Sequence, residues 1–102
     1  MVFDVTKKDI KDLDKGLKVV NFHATWCGPC KMLKPVLRAL GEEYGDKVTV
    51  YHVDVDQDRE YAIEMGIQGT PTSFIYKDGI IIKTIVGYTG KDTFKSILDQ
   101  NL

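Results

Sequence analysis

The sequence is short of cysteine, proline and long apolar runs, and each shortage excludes something. Only two of its 102 residues are cysteine, Cys27 and Cys30. That is too few for a secreted scaffold held together by several disulfides. Three prolines, with no Pro/Gly/Ser-rich stretch, leave no linker or low-complexity tract. No segment approaches the ~20 consecutive apolar residues of a membrane-spanning helix. Neither sign of charge dominates: 14 Lys plus Arg stand against 15 Asp plus Glu, for a net charge of -1. Without basic runs, nucleic acid and anionic membrane are not expected as main partners. The opening Met1-Val2-Phe3-Asp4-Val5 has no basic stretch leading into an apolar run. The expectation is therefore no signal peptide and a cytoplasmic location, where thiols stay reduced. In that setting a lone cysteine pair reads as catalytic or metal-binding rather than as a structural staple.

What remains is enough for a folded domain. The chain is 43% hydrophobic and 28% charged, which favours folding over disorder. Its length suits one domain, residues 1–102, and excludes a two-domain enzyme carrying its own dinucleotide-binding half. There is no internal repeat.

The apolar spacing predicts short elements of alternating type. Val2 to Asp4 reads as a first strand. Thr6-Lys7-Lys8-Asp9 reads as a helix start, with Thr6 as N-cap and Ile10 and Leu13 on an apolar face. Leu17 to Ala24 is rich in strand formers. A helix is expected over 29–44, with Leu33, Val36, Leu37, Leu40 and Tyr44 at helical spacing and a kink at Pro35. Val48 to Val55 is apolar on both alternating faces, as in a central strand covered on both sides. Asp58 caps a short helix with Tyr61, Ala62 and Met65 inward and Gly66 at its end. Tyr51, Phe74 and Tyr76 read as sheet packing. Asp78-Gly79 joins strands 72–76 and 80–86 as a hairpin. Phe94, Ile97, Leu98 and Leu102 mark a C-terminal helix. The order is βαβαβαββα. It predicts an α/β fold with a central mixed sheet and helices on both faces.

The chemistry centres on Trp26-Cys27-Gly28-Pro29-Cys30-Lys31. Two cysteines three apart at the first turn of a helix bring their sulfurs within bonding reach. Cys27 then sits at the helix N-terminus. There the unpaired N–H groups and the macrodipole favour thiolate by up to ~2 kcal/mol, drawing its acidity toward neutrality. Pro29 fits a first-turn position, where no intrahelical bond is lost. Gly28 leaves room for a disulfide to approach. Lys31 adds positive charge beside the pair, or is simply a solvated first-turn lysine.

This motif after a strand resembles the active-site signature of the thioredoxins, for which an acidic first cysteine is a known property. The resemblance extends along the domain. Thr70-Pro71 resembles the family's cis-proline loop, Asp78-Gly79 its hairpin turn, and Gly87 the glycine closing its substrate-facing surface. It implies the thioredoxin fold and protein disulfide reductase activity. Cys27 would attack a client disulfide and Cys30 would resolve the mixed disulfide. No cofactor would be bound, and a flavin-containing thioredoxin reductase would restore the dithiol with NADPH. The clients implied are peroxiredoxin-, methionine sulfoxide reductase- or ribonucleotide reductase-like proteins, and the protein would act as a monomer. Trp26, Gly69, Thr70, Pro71, Gly87 and Tyr88 would form the apolar rim on which an extended client segment docks, partly by backbone pairing at Thr70.

Two positions depart from the family pattern. The buried Asp usual six residues before the first cysteine is Asn21 here, and its usual Lys partner corresponds to His52. The buried acid is associated with proton transfer at the second cysteine, and Asn21 does not titrate. Asn21 and His23 share one strand face, with His52 expected on the same side from the neighbouring strand. Either histidine is thus a candidate to move the Cys30 proton. The plainer reading is that Asn21 and His52 satisfy each other as a neutral buried pair.

Three other readings stand beside the reductase. Cys27, Cys30, His23 and His52 have the donor types of a Cys2His2 zinc site, but the -Gly-Pro- spacing favours a disulfide and no metal is assigned. The domain would also serve as a binding module in which the surface matters and the thiols do not. A retuned site would make it an oxidase or isomerase. The acidic run Asp54 to Asp58 reads as a solvated connection.

Overall fold

The computed structural model describes all 102 residues. Five strands form one sheet: β1 (Val2–Asp4), β2 (Leu17–His23), β3 (Val48–Asp54), β4 (Thr72–Lys77) and β5 (Ile80–Val86). Their spatial order is β1-β3-β2-β4-β5. β3 runs parallel to both β1 and β2, whereas β4 is antiparallel to β2 and β5 to β4. The long helices are α1 (Gly28–Tyr44) and α3 (Lys91–Asn101), and α2 (Arg59–Glu64) is short. The expected α/β mixed sheet is present. Its middle strand is β2 rather than the 48–55 segment, which lies one place toward the β1 edge.

Strand alternation divides the core into two layers. Leu17, Val19, Val48, Val50 and Ile75 face α1 and α3, where they meet Leu33, Leu37, Leu40, Tyr44, Phe94 and Leu98. Val20, Phe22, Tyr51, Val53, Phe74 and Tyr76 face the other way, onto Tyr61 and Ala62 of α2. Helices thus cover both faces. Leu102 lies beyond α3 and is exposed, so the apolar stripe of that helix ends at Leu98.

The expected first helix is only a 3-10 turn, Lys7–Asp9. The Thr6 side chain caps no backbone N–H; its hydroxyl instead meets the Asp9 carboxylate at 3.4 Å. The Lys7 N–H is taken by the Asp58 carboxylate at 2.8 Å. Ile10 is extended and Asp12 adopts a left-handed φ of 53°, which stops the helix before it is nucleated. Ile10 and Leu13 still pack onto the α2-side core.

The hairpin forms as its dipeptide requires. Asp78 and Gly79 have φ of 49° and 86°, both positive, as in a two-residue type I′ loop. The Asp78 carboxylate also accepts the Gly16 N–H at 2.7 Å, tying this turn to the start of β2. In α1, which continues through Pro35, Gly41 is required by space: a Cβ there would stand 2.5 Å from Val2 Cγ2. This close approach seats β1 on α1 and so fixes where the next residue pair of β1, Phe3 and Asp4, meets β3. No helix is long and apolar enough to cross a membrane.

Candidate active site

β2 ends at His23, and the chain turns through Ala24, Thr25 and Trp26 into α1. Cys27 is the N-cap of α1, with extended backbone, and Pro29 lies in the first turn. This places both cysteines where a strand end meets a helix start. Cys27 and Cys30 form a disulfide, with Cα atoms 5.2 Å apart. The Cys30 N–H donates to Cys27 Sγ at 3.2 Å, as an N-cap side chain receives it. A thiolate at this position inherits the same donor, which favours its charged form. Both cysteines are largely buried, at 6% and 4% exposure, with Ala24 and Val55 packed against them.

The sequence-predicted rim lies around Cys27. The Thr70–Pro71 peptide is cis, and the Thr70 carbonyl oxygen stands 3.5 Å from Cys27 Sγ. The Gly87 N–H donates to the Pro71 carbonyl at 2.7 Å, which brings the end of β5 against this loop. Gly69 is exposed and its carbonyl accepts the Thr72 hydroxyl at 2.7 Å. Trp26 is 72% exposed, Tyr88 is exposed, and Val86 beside Gly87 adds a further bare apolar side chain. Gly28 and Lys31 are exposed on the first turn of α1.

One residue of the rim's support was not read from the sequence. Asp56 accepts a hydrogen bond from Trp26 Nε1 at 3.0 Å. The acidic run is therefore more than a solvated connection. Asp54 accepts the Asp56 N–H at 2.8 Å, and Asp58 caps α2 through the Tyr61 N–H. The alternating acids, each a residue type that bonds nearby backbone, signalled the Asp54 and Asp58 bonds, but nothing local signalled the Asp56 bond to Trp26.

Behind the disulfide, the two unusual positions do not pair with each other. Asn21 and His52 are register neighbours on β2 and β3. Yet Asn21 Nδ2 donates at 2.9 Å to Ser73 Oγ on the opposite neighbour, β4, where Ser73 is its register partner. Asn21 Oδ1 is buried with no protein partner. His52 turns instead to β1: its Nδ1 lies 2.8 Å from Asp4 Oδ1. The His52 ring stacks on His23, centroids 3.5 Å apart and 4° from parallel. Cys30, His23 and His52 line one crevice of about 190 Å³, with Lys34 at its edge.

Burial is the main cause that pushes both histidines below their ordinary value, His23 to about 4. Charge on His52 further lowers His23, Lys34 and Arg38 further lower His52, and the Asp4 hydrogen bond pulls His52 partly back up. The same bond holds the Asp4 carboxyl below its usual value. A histidine held neutral in the fold binds its proton more readily once unfolded. Stability is therefore full above pH 6.5 and falls as pH drops from there toward about 4. Melting temperature should decline through that window, and His23→Phe should decline less. Parallel curves for the two proteins would remove this assignment.

The donor atoms of Asp4, His23 and His52 lie within 4.8 Å of one another. Stacked rings direct their in-plane lone pairs side by side rather than at one point, and Lys34 adds positive charge to the same crevice. The Cys2His2 set is not assembled, because the histidines group with Asp4 and the cysteines bond to each other.

A dithiol–disulfide pair at a helix N-terminus, facing a cis-proline loop on a five-stranded mixed sheet, defines a thiol–disulfide oxidoreductase. The thioredoxin family model matches residues 3–100. The thioredoxin of Bacillus subtilis strain 168 is 37% identical over 91 residues, 89% of this chain and 88% of its own. A Staphylococcus epidermidis thioredoxin is 36% identical over 102 residues, 99% of this chain and 98% of its own. A Listeria monocytogenes thioredoxin is 36% identical over 101 residues, 98% of each. This chain belongs to the thioredoxin family.

Proposed function

We propose that this chain is a protein disulfide reductase. It acts as a monomer of one domain, residues 1–102, in the cytoplasm. The Cys27 thiolate attacks one sulfur of a client disulfide, forming a mixed disulfide and releasing the other sulfur as a thiolate that takes up a proton. Cys30, having given up its proton, then attacks Cys27 Sγ, and the client leaves with its second sulfur reduced. Two electrons pass to the client, and the Cys27–Cys30 disulfide remains. An NADPH-dependent thioredoxin reductase restores the dithiol. The chain itself holds no cofactor, because the two sulfurs carry the electrons. Clients are disulfide forms of peroxiredoxin-, methionine sulfoxide reductase- or ribonucleotide reductase-like enzymes.

The observation that carries this reading is the position of Cys27, at the start of α1 and against the cis-proline loop. It directly follows the exposed Trp26, with the Thr70 carbonyl 3.5 Å away. An extended client segment pairing its backbone at Thr70 and covering Trp26 would bring its disulfide to Cys27. Gly69, Pro71, Gly87 and Tyr88 complete the surface, and Gly28, Pro29 and Lys31 shape the turn that presents it.

The test is reduction of insulin disulfides, with electrons from dithiothreitol in one arm and from NADPH plus a bacterial thioredoxin reductase in the other. Catalysis in both arms is expected. Catalysis only with dithiothreitol would remove the proposed reductase partner. Catalysis in neither arm would leave a binding module. The Cys27/Cys30 potential, set by equilibration with dithiothreitol, should be strongly reducing. A value near that of glutathione would instead make the protein an oxidase or isomerase.

A further inference from the structure

We propose that His52 is the base that takes the Cys30 proton during resolution of the mixed disulfide, with Asp4 as its positioning residue. The proposal rests on the reductase reading above and concerns its second step. Cys30 enters that step as a buried thiol and must react as a thiolate, so its proton has to leave through a side chain or water that reaches it.

The crevice behind the disulfide restricts the choice. Cys30 lines it together with His23, His52, Lys31 and Lys34. The ammonium groups have no lone pair to offer. Asn21 does not titrate: its Nδ2 donates to Ser73, and its Oδ1, though unpartnered, is an amide oxygen far too weak a base to take a thiol proton. The two imidazoles are the bases available.

Geometry then separates them. His52 Nδ1 is held on the Asp4 carboxylate at 2.8 Å, which makes Nδ1 the protonated nitrogen and leaves the Nε2 lone pair free. Once Nε2 takes a proton, the resulting imidazolium already faces an anion. The Asp4 side chain is 78% exposed, so the ion pair opens onto solvent and the proton has a way out. This is the acid–imidazole arrangement that orients a base and stabilises its charged form. His23 has no such carboxylate bond, and a charge on it would meet the His52 ring stacked 3.5 Å away. A crevice of about 190 Å³ also has room for a water between Nε2 and the thiol.

The charged and titratable groups around His52 come from every packed element: Asp4 on β1, His23 on β2, and Lys34, Arg38 and Glu42 on α1, with Asp54 at the end of β3 sharing a pocket with it. Burial and the two cations favour the neutral, proton-accepting ring, and Asp4 opposes them. The resolving step should therefore lose rate as pH falls through the His52 transition, below the ordinary histidine value.

The two steps separate with 5,5′-dithiobis(2-nitrobenzoate). Attack by Cys27 releases one coloured thiolate, and resolution by Cys30 releases the second. At pH 7, His52→Gln should slow the second release relative to the first by about 100-fold or more. The variant should also lose the wild-type bend of the second rate below the ordinary histidine value, its rate instead rising steadily with hydroxide. Asp4→Asn, an exposed change that spares the core, should slow the second release several-fold and move the bend to lower pH. Equal ratios and unchanged profiles in both variants would overturn the proposal. A uniform slowing with the bend intact would also overturn it, because that is the mark of a packing role. If the wild-type protein released only one equivalent, the reductase reading itself would fail instead.

Discussion

Cys30→Ser is expected to stop turnover midway and leave the protein covalently attached to its client. Cys27 keeps its place as N-cap beside the Thr70 carbonyl, so the first exchange proceeds. The serine hydroxyl then stands where the resolving sulfur stood, and it is far too weak an acid to attack at neutral pH. Catalytic reduction of insulin should fall on the order of 10³-fold or more. An adduct of protein plus one insulin chain should appear on a non-reducing gel and vanish with dithiothreitol. Cys27→Ser should be equally inactive but form no adduct, since the remaining sulfur lines the histidine crevice rather than standing at the Thr70 carbonyl and lacks the N-cap N–H that favours a Cys27 thiolate. The pair of outcomes assigns the roles. An adduct formed by the Cys27 variant and not by the Cys30 variant would reverse them.

Phe22→Ala should be the most damaging change away from the cysteines. Phe22 is fully buried on the middle strand. Its ring packs edge-on against Tyr61 at 5.0 Å and Phe74 at 5.9 Å, linking α2 and β4 through β2. Truncation removes the ring and leaves a cavity between two elements that are themselves paired elsewhere, so collapse into it is limited. The cost is about 3–5 kcal/mol, a large part of the 5–15 kcal/mol typical of a domain. At roughly 4–8 °C per kcal/mol for a chain near this size, the melting temperature should drop by about 12–40 °C. A loss under about 5 °C would mean that the α2-side layer repacks freely.

Most of this architecture was legible because local signals agreed with global ones. Alternation placed β2 and β3, helical spacing placed α1 and α3, and Asp-Gly placed the hairpin. The cysteine motif needed no tertiary knowledge, since its chemistry follows from four consecutive residues at a helix start. What sequence could not supply was register. The Asn21 amide had two possible neighbours, and only the antiparallel alignment of β4 puts Ser73 opposite it. Asp4 meets His52 through the parallel β1–β3 register, across 48 positions of chain. Thr6 failed as the cap of a full helix because the chain turns extended at Ile10 and left-handed at Asp12 before a first α-turn can close.

The smallness of the ring closed by Cys27 and Cys30 has a consequence for the life of the molecule. The cross-link spans three positions. In the chain-entropy picture so short a loop restrains the unfolded chain by only about 2 kcal/mol. The two hydrophobic layers hold the domain without it. Opening the bond therefore leaves the scaffold standing, and each delivery of electrons is uncoupled from any risk of unfolding. The fold behaves as a permanent housing for a replaceable charge, ready to be emptied and refilled many times.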